Sequence, residues 1–114
     1  MDTLIWLDDV RNPANIINDN YPPYSINNCN VVWVKSYKEF VEWIEVNGLP
    51  KIITFDHDLG TEETGYDAVK WLANYCIEHR KMIPECHIHS SNPVGRANIQ
   101  SIIDSFIKVY HGDI

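Results

Sequence analysis

Three short apolar runs, at residues 4–7, 31–34 and 52–55, are each followed at once by polar residues. A fourth segment, residues 85–90, is mixed in polarity and completes the alternation of strands and helices as a further strand. Unbroken apolar runs of this length are typical of strands buried on both faces of a parallel sheet. The pattern therefore predicts four strands, of which the third is the most clearly bounded, because Ile52–Phe55 leads straight into a polar segment.

Three other stretches repeat apolar residues at the helical spacing of three and four. The apolar faces are Tyr37, Phe40, Val41 and Ile44; Val69, Leu72, Ala73 and Cys76; and Ile99, Ile102, Ile103 and Phe106. Ser36 with Glu39 and Thr64 with Asp67 have the spacing of helix-capping pairs, and Pro93 suits the first turn of a third helix. Gly48 and Pro50 are expected to end the first helix.

Strands that alternate with helices predict a parallel sheet with right-handed connections. We expect a truncated flavodoxin-like α/β fold, a three-layer sandwich with a mainly parallel four-stranded sheet in the order 2-1-3-4. A chain of 114 residues is long enough for a single domain over residues 1–114. Residues 14–30 are rich in Asn and contain Pro22 and Pro23, so we expect a long irregular loop with at most one helical turn, near residues 14–17.

Composition and charge argue against some classes of function. Hydrophobic residues make up 45% and charged residues 22% of the chain, which is typical of a globular protein, and the net charge of −7 argues against a broad nucleic-acid surface. The three cysteines form no CxxC pair, so we expect reduced thiols. Acidic residues interrupt the N-terminal apolar run and no stretch is long enough to span a membrane, so we expect a cytoplasmic protein without a membrane partner.

Polar side chains follow three of the four predicted strands. They are Asp8 and Asp9; Asp56, His57 and Asp58; and His89, Ser90, Ser91 and Asn92. The carboxyl ends of parallel strands meet at one edge of a sheet, which is where open α/β sheets bind ligands. Carboxylates brought together there repel each other unless a cation or a shared proton neutralises them. Oxygen ligands favour Mg²⁺ or Mn²⁺, whereas an added histidine favours Mn²⁺, Zn²⁺ or Fe²⁺.

Each of these features also has a purely structural interpretation. Asp8 and Asp9 suit a turn or a cap, His57 suits a hydrogen-bonded structural role, and residues 90–93 suit the start of a helix. His87 is expected to be structural. What favours a functional site is that all these residues are predicted at one edge, since unrelated caps have no reason to cluster there.

The acidic pair after the first strand, Asp56 after the third and Ser90 after the fourth resemble the response-regulator receiver domains. In that family the acids bind Mg²⁺ and the third-strand Asp is phosphorylated. Receivers also have a fifth strand with a terminal Lys that contacts the aspartyl phosphate. The given sequence has no room for that strand after its last helix, so we expect that it does not act in a standard phosphorelay.

A second resemblance is more specific and covers nearly the whole chain. Leu-Asp-Asp-Val-Arg at 7–11, Asp-His-Asp-Leu-Gly at 56–60, Thr-Gly-Tyr-Asp at 64–67 and His-Ser-Ser-Asn-Pro-Val-Gly at 89–95 resemble the cyclic-phosphate-processing receiver domains, in that family's order. Those domains occur largely in bacteria and phages. The resemblance implies a receiver-like fold and a role in RNA-end repair or nucleotide signalling.

We therefore expect a metal-dependent phosphoesterase that acts on a cyclic phosphate of an RNA end or a nucleotide. The cation, Mg²⁺ or Mn²⁺, would activate water or neutralise developing charge. The expected metal ligands are Asp8, Asp9 and Asp58. Asp56 is expected to act as a further ligand or as a nucleophile. His57 and His89 are expected to form the acid–base pair. The expected phosphate-binding residues are Arg11, Ser90, Asn92 and Arg96.

Two alternatives stay open at this stage. The first is a non-catalytic receiver-like module that binds a nucleotide or a partner protein and needs neither histidine for binding. The second is a phosphotransferase that forms an aspartyl phosphate, as the haloacid-dehalogenase phosphatases do, because Asp56 and Asp58 imitate their nucleophile and acid. The positions of the other acids and the missing lysine count against the second.

Overall fold

The computed structural model describes residues 2–16 and 29–111 of the chain. Four strands, β1 (Asp2–Leu7), β2 (Cys29–Val34), β3 (Ile52–Phe55) and β4 (Glu85–Ile88), form one sheet. The helices are α1 (Pro13–Ile16), α2 (Tyr37–Asn47), α3 (Gly65–His79) and α4 (Pro93–Phe106), and a π-helical turn, Ile107–His111, follows α4. Among the described residues, no helix is long and apolar enough to cross a membrane.

The sheet has the order β2-β1-β3-β4, and each neighbouring pair is parallel. This confirms the predicted receiver-like α/β fold and its strand order. β1 is central because both of its edges are paired, with Leu4 opposite Val31 on one side and opposite Ile52 on the other. Its side chains from Leu4 to Leu7 are fully buried, as the unbroken apolar run predicts.

The two faces of the sheet have separate cores, because side chains alternate along each strand. The larger core joins one face of the sheet to all three long helices, for example through Phe40, Leu72 and Ile99, each fully buried. The smaller core on the opposite face contains Leu4, Trp6 and Ile52. The predicted helical faces are confirmed in their central positions, whereas Tyr37, Val41, Ala73 and Ile102 at their margins are only partly buried.

The segment just beyond β1 contacts the face of the sheet opposite α2 and α3. Trp6 belongs to the smaller core on that face, and its indole Nε1 donates a hydrogen bond of 3.0 Å to the carbonyl of Arg11. The predicted helical turn is one residue early, at Pro13–Ile16, and residues 17–28 of the predicted loop lie outside the described residues. The last two residues of that loop, Cys29 and Asn30, belong to β2 instead.

The helix ends follow the predicted capping signals. Ser36 Oγ accepts the backbone N–H of Glu39 at 3.1 Å, and the Asp67 carboxylate accepts the backbone N–H of Thr64 at 2.8 Å. Gly48 ends α2 with a φ of 84°. Three strand boundaries were wrong. β1 begins at Asp2 and not at residue 4, and β2 begins at Cys29 and not at residue 31. β4 ends at Ile88 and not at residue 90, because the hydroxyl of Ser90 already accepts the N–H of Asn92 in the turn that starts α4.

Candidate functional site

The backbone ladder brings the polar ends of three strands to one edge of the sheet. Beyond the strands, Asp8 N–H donates to the Val34 carbonyl, Asp56 N–H to the Leu7 carbonyl and His89 N–H to the Phe55 carbonyl, at 2.9 to 3.1 Å. Each of these bonds continues the parallel pairing by one residue. The side chains of residues that are about 50 and 80 positions apart in sequence therefore lie in adjacent positions at the carboxyl edge, as the parallel order predicts.

Three carboxylates form the centre of this edge. One oxygen from each of Asp8, Asp9 and Asp56 lies within 4.8 Å of the other two. Asp8 is fully buried and Asp56 is 7% exposed. A Cβ added at Gly60, whose φ is +68°, would lie 2.9 Å from Asp9 Oδ2, so a glycine there lets the loop approach this carboxylate. We call Asp8, Asp9 and Asp56 the carboxylate cluster.

Asp8 is held by hydrogen bonds on both oxygens. Oδ1 accepts the backbone N–H groups of Val10 at 2.9 Å and Arg11 at 2.8 Å. Oδ2 accepts Nε2 of His89 at 3.0 Å, and the Arg11 Nε lies 4.0 Å from it. A carboxylate oxygen has about two lone-pair positions. Asp8 can therefore offer a cation one position on Oδ2, which fixes the direction from which it can coordinate.

Asp56 lies in an unfavourable place for a negative charge. Burial raises the pKa of its carboxyl above the usual value, and the nearby charge of Asp8 raises it further. The Arg11 guanidinium and hydrogen bonds from the Ser90 hydroxyl and the His57 backbone lower the pKa and offset part of that rise. A raised carboxyl pKa next to a second carboxylate is the electrostatic signature of a site that a cation would stabilise.

His89 is enclosed on all sides. Its side chain is 5% exposed and its ring stacks on that of Trp6 at 3.9 Å between centroids, with 9° between the planes. Nε2 donates to Asp8, and Nδ1 lies 2.7 Å from the Thr54 hydroxyl. Burial lowers the pKa of His89 to about 4 despite the opposing effect of Asp8. The ring is therefore neutral at pH 7, with its proton on Nε2 and the Thr54 hydroxyl donating to Nδ1.

His57 has a different environment beside the cluster. Its Nδ1 donates to Asp58 Oδ1 at 2.9 Å, and its side chain is 17% exposed. In the part of the chain that the structure describes, no hydrogen-bond partner is found for its Nε2. The ring packs against the first turn of α4, where a Cβ on Gly95 would overlap the imidazole. His57 is thus oriented by a carboxylate and leaves one nitrogen available.

Asp58 lies outside the carboxylate cluster. Its side chain is 63% exposed, and the Asn92 amide approaches its oxygens at 3.4 and 3.5 Å. The hydrogen bond from His57 is the largest of the causes that lower the pKa of Asp58, and the amide of Asn92 contributes in the same direction. The structure therefore brings Asp58 to His57 rather than to the other two residues predicted as metal ligands.

The four predicted phosphate-binding residues are largely engaged within the chain. Arg11 Nη1 donates to the His89 carbonyl at 2.9 Å, although its side chain is 37% exposed. Ser90 bonds to Asp56, and Asn92 Oδ1 accepts the Gly95 N–H at 3.0 Å as the cap of α4. Arg96 does not join the others; it lines a cavity of about 390 Å³ beside β4, with His87 and Gln100.

Several residues of the site were not predicted. Thr54 and Trp6 hold the His89 ring, and the Trp33 indole Nε1 donates to the Asp8 carbonyl at 2.7 Å. In the sequence, the one sign that Thr54 has such a role is that a hydroxyl residue lies inside the apolar run at 52–55. Gly65 is also essential to the packing, because a Cβ there would overlap the Asp56 carbonyl. In the sequence it shows only as part of a capping pattern.

The fold and the acidic edge define a receiver-like α/β domain. The chain matches the cyclic-phosphate processing Receiver domain over residues 3–105. That match covers most of the chain, so the protein belongs to this family. No curated protein matches the chain. Among solved structures, one similar chain is described as a yeast Spc42 trimeric coiled coil, amino acids 181–211, fused to another structure. It has a TM-score of 0.60 at 15% identity, covering 98% of this chain and 78% of that chain, which shows the shared fold alone.

Proposed function

We propose that this protein is a divalent-cation-dependent phosphoesterase that acts on a cyclic phosphate of a nucleotide or an RNA end. The observation that carries the proposal is the carboxylate cluster, in which three oxygens approach within 4.8 Å in a largely buried place. Burying like charges together is costly, and the raised pKa of Asp56 reflects that cost. The chain belongs to a family that is named for cyclic-phosphate processing, and this supports a cyclic phosphate as the substrate.

The cluster fits Mg²⁺ or Mn²⁺. Around an octahedral ion with oxygen ligands at about 2.1 Å, neighbouring oxygens lie about 3 Å apart and opposite ones about 4.2 Å. The observed upper limit of 4.8 Å is close to this spacing. We propose Asp8, Asp9 and Asp56 as the ligands, so Asp56 takes the place that sequence reasoning gave to Asp58. When bound, the ion would neutralise charge on the phosphoryl oxygens.

His57 is the residue we propose for proton transfer. Opening a cyclic phosphate requires a proton at the ribose oxygen that leaves, and histidine is the side chain that most often transfers such protons in enzymes. Asp58 accepts the Nδ1 proton, which fixes the ring orientation and leaves Nε2 to exchange a proton with the substrate. Asn92 supports Asp58 through its amide, and Gly95 leaves room for the ring.

His89 is proposed as a positioning residue and not as the second member of an acid–base pair. Both ring nitrogens are used inside the fold, one by Asp8 and the other by Thr54. A neutral histidine that donates to a ligating carboxylate orients that ligand. Arg11 is the residue we retain for phosphate binding, because its half-exposed guanidinium has five N–H donors and only part of them is used by the His89 carbonyl.

Calorimetry with Mn²⁺ and Mg²⁺ tests the cation site, and hydrolysis of a 2′,3′-cyclic nucleotide tests the activity. We expect wild type to bind the ion, Asp56→Asn to lose binding, and Asp58→Asn to keep it while losing turnover. His57→Gln is expected to keep ion binding and lose turnover. If Asp58→Asn loses the ion and Asp56→Asn keeps it, the proposed ligand set is wrong. Ion binding without hydrolysis of any cyclic nucleotide would count against the enzyme.

One observation favours a second function, a non-catalytic module that binds a nucleotide or a partner protein. The Ser90 hydroxyl, the Asn92 amide and the Arg11 guanidinium each donate a hydrogen bond to a group of the chain itself, which leaves fewer donors for a substrate phosphate. If this function is correct, a cyclic nucleotide binds with the same affinity to wild type and to His57→Gln, and no product forms with any ion. Faster product formation by wild type than by His57→Gln would exclude it.

A further inference from the structure

A cleft of about 270 Å³ lies far from the carboxylate cluster. It lies between the last turn of α3, the segment before β4 and the end of α4. Its buried floor is formed by Cys76 and Phe106, and its rim includes Ile77, Met82 and Tyr110. α3 begins beside the site, where Gly65 N–H donates to the His57 carbonyl at 2.8 Å. Since a helix rises 1.5 Å per residue, the cleft is about 20 Å from that point.

The rim of this cleft is unusually apolar for an exposed surface. Ile77 is 43% exposed, Met82 is 50% exposed and Tyr110 is 44% exposed. Ile107 and Val109 in the neighbouring π-helical turn are also exposed, so five of the nine large exposed hydrophobic residues found in the described part of the chain belong to this end of the molecule. Single exposed apolar residues are ordinary, whereas a group around a concave surface is typical of an interaction site.

Two cations line the same cleft, Arg80 and Lys81. The chain as a whole has a net charge of −7, so a basic, apolar concavity contrasts with the rest of its surface. Arg80 also has a φ of 54°, the left-handed conformation in which glycine is usual at the end of a helix. An arginine there costs about 1 kcal/mol relative to glycine. The local backbone conformation therefore does not explain why the residue at this position is an arginine.

We propose that this cleft, lined by Ile77, Arg80, Lys81, Met82 and Tyr110, binds an amphipathic helical segment of a partner protein that carries acidic residues beside its apolar face. The apolar side chains of the segment enter between Met82 and Tyr110, and its carboxylates face Arg80 and Lys81. Helices that lie in a groove in this way are recognised by apolar anchors one turn apart, with charges at the rim that select the partner.

Two other occupants fit less well. A second copy placed symmetrically on this face would bring the Arg80 and Lys81 cations of both copies together, which repel each other. An anionic lipid surface would attract the two cations, but binding to such a surface ordinarily uses a cluster of about four to eight Lys or Arg residues. The concave shape also favours a helix over a flat bilayer.

The test is a selection of random 16-residue peptides displayed on phage against the full chain. We expect the enriched peptides to combine Asp or Glu with apolar residues three and four positions apart. By fluorescence anisotropy, Met82→Asp and Arg80→Glu should weaken a selected peptide at least tenfold. The matched control is Val46→Asp, at an 82% exposed position on α2, which should bind like wild type.

Arg80→Gly separates binding from folding. It removes the cation and relieves the left-handed backbone, so its Tm should equal or exceed that of wild type while peptide binding weakens. The proposal is overturned if enriched peptides are basic, if they bind equally to Met82→Asp, or if none is enriched. It is also overturned if phosphatidylserine vesicles bind wild type and not Arg80→Glu, or if sedimentation shows a dimer that Met82→Asp dissociates. None of these outcomes depends on the proposed phosphoesterase.

Discussion

Asp8 Oδ2 and His89 Nε2 lie 3.0 Å apart, with Asp8 fully buried and the His89 side chain 5% exposed. The bond joins the ends of the first and last strands, and it leaves His89 with no free nitrogen because Thr54 occupies Nδ1. A side chain that does not reach solvent has no direct path to a substrate proton. We therefore expect His89 to act on the candidate cation site through Asp8.

The two histidines should consequently affect different measurements. His89→Gln should weaken Mn²⁺ binding by about 10- to 100-fold, because removing the partner of a ligating carboxylate has an effect of that order. His57→Gln should leave the Mn²⁺ affinity unchanged and reduce turnover of a 2′,3′-cyclic nucleotide by about 10²- to 10⁴-fold. Calorimetry and product formation measure the two effects. Equal Mn²⁺ affinities with turnover lost in both variants would instead identify an acid–base pair.

The depressed pKa of His89 predicts a loss of stability in mild acid. The unfolded histidine binds a proton below its ordinary pKa of 6.5, whereas the folded one resists protonation down to about 4. Between these values the unfolded state binds more protons, so the free energy of unfolding falls as the pH falls from 6.5 toward 4. At 1.36 kcal/mol per pKa unit, the full effect is on the order of 3 kcal/mol.

Urea unfolding in EDTA at several pH values measures this effect. Asp56 opposes it, because its raised pKa makes the folded state bind the extra proton and so favours folding in acid. Comparing variants separates the contributions of His89 and Asp56 to the pH dependence of stability. The contribution of His89 should be absent in His89→Gln and present in His57→Gln. A pH dependence that is the same in wild type and His89→Gln would show that His89 is not the titrating group.

Asp56→Asn should stabilise the protein without metal and remove its response to metal. The substitution keeps the shape of the side chain and removes a charge that burial and Asp8 disfavour. The free energy of unfolding at pH 7 should therefore be higher for Asp56→Asn than for wild type. Thermal unfolding should show a rise in Tm with Mn²⁺ for wild type and Asp58→Asn, and none for Asp56→Asn. A rise in Asp56→Asn as large as in wild type would place the ion elsewhere.

Gly95→Ala should disturb His57 from the helix side. The added methyl group would overlap the imidazole ring, so the ring must move or α4 must shift. Forcing extra atoms into a packed place costs about 1–3 kcal/mol. We expect lower stability together with lost turnover and unchanged Mn²⁺ affinity. Gly48→Ala is the matched control: its methyl meets no atom but its φ of +84° is strained, so it should lower stability and leave turnover unchanged.

Much of the fold could be predicted from the sequence because its signals are local. The apolar runs specified β1, β2 and β3, and the spacing of residues such as Phe40 and Ile44 specified the buried faces of the helices. Alternation of strands and helices led to the parallel order β2-β1-β3-β4. That order in turn predicted that polar residues after β1, β3 and β4 share one edge. Each of these steps depends on periodicity, which is readable along a chain.

The roles of individual residues at that edge were decided by tertiary structure. Asp56 and Asp58 are equivalent in a sequence pattern, yet one is 7% exposed beside Asp8 and the other bonds to His57 at the surface. His57 and His89 likewise differ only in what surrounds them. Burial, hydrogen-bond partners and nearby charges decide whether a side chain is protonated and which groups it can contact. All three depend on neighbours on other strands and helices. The sequence by itself determined the elements and the edge where polar groups collect, and only packing across the sheet decided which of them can meet a cation.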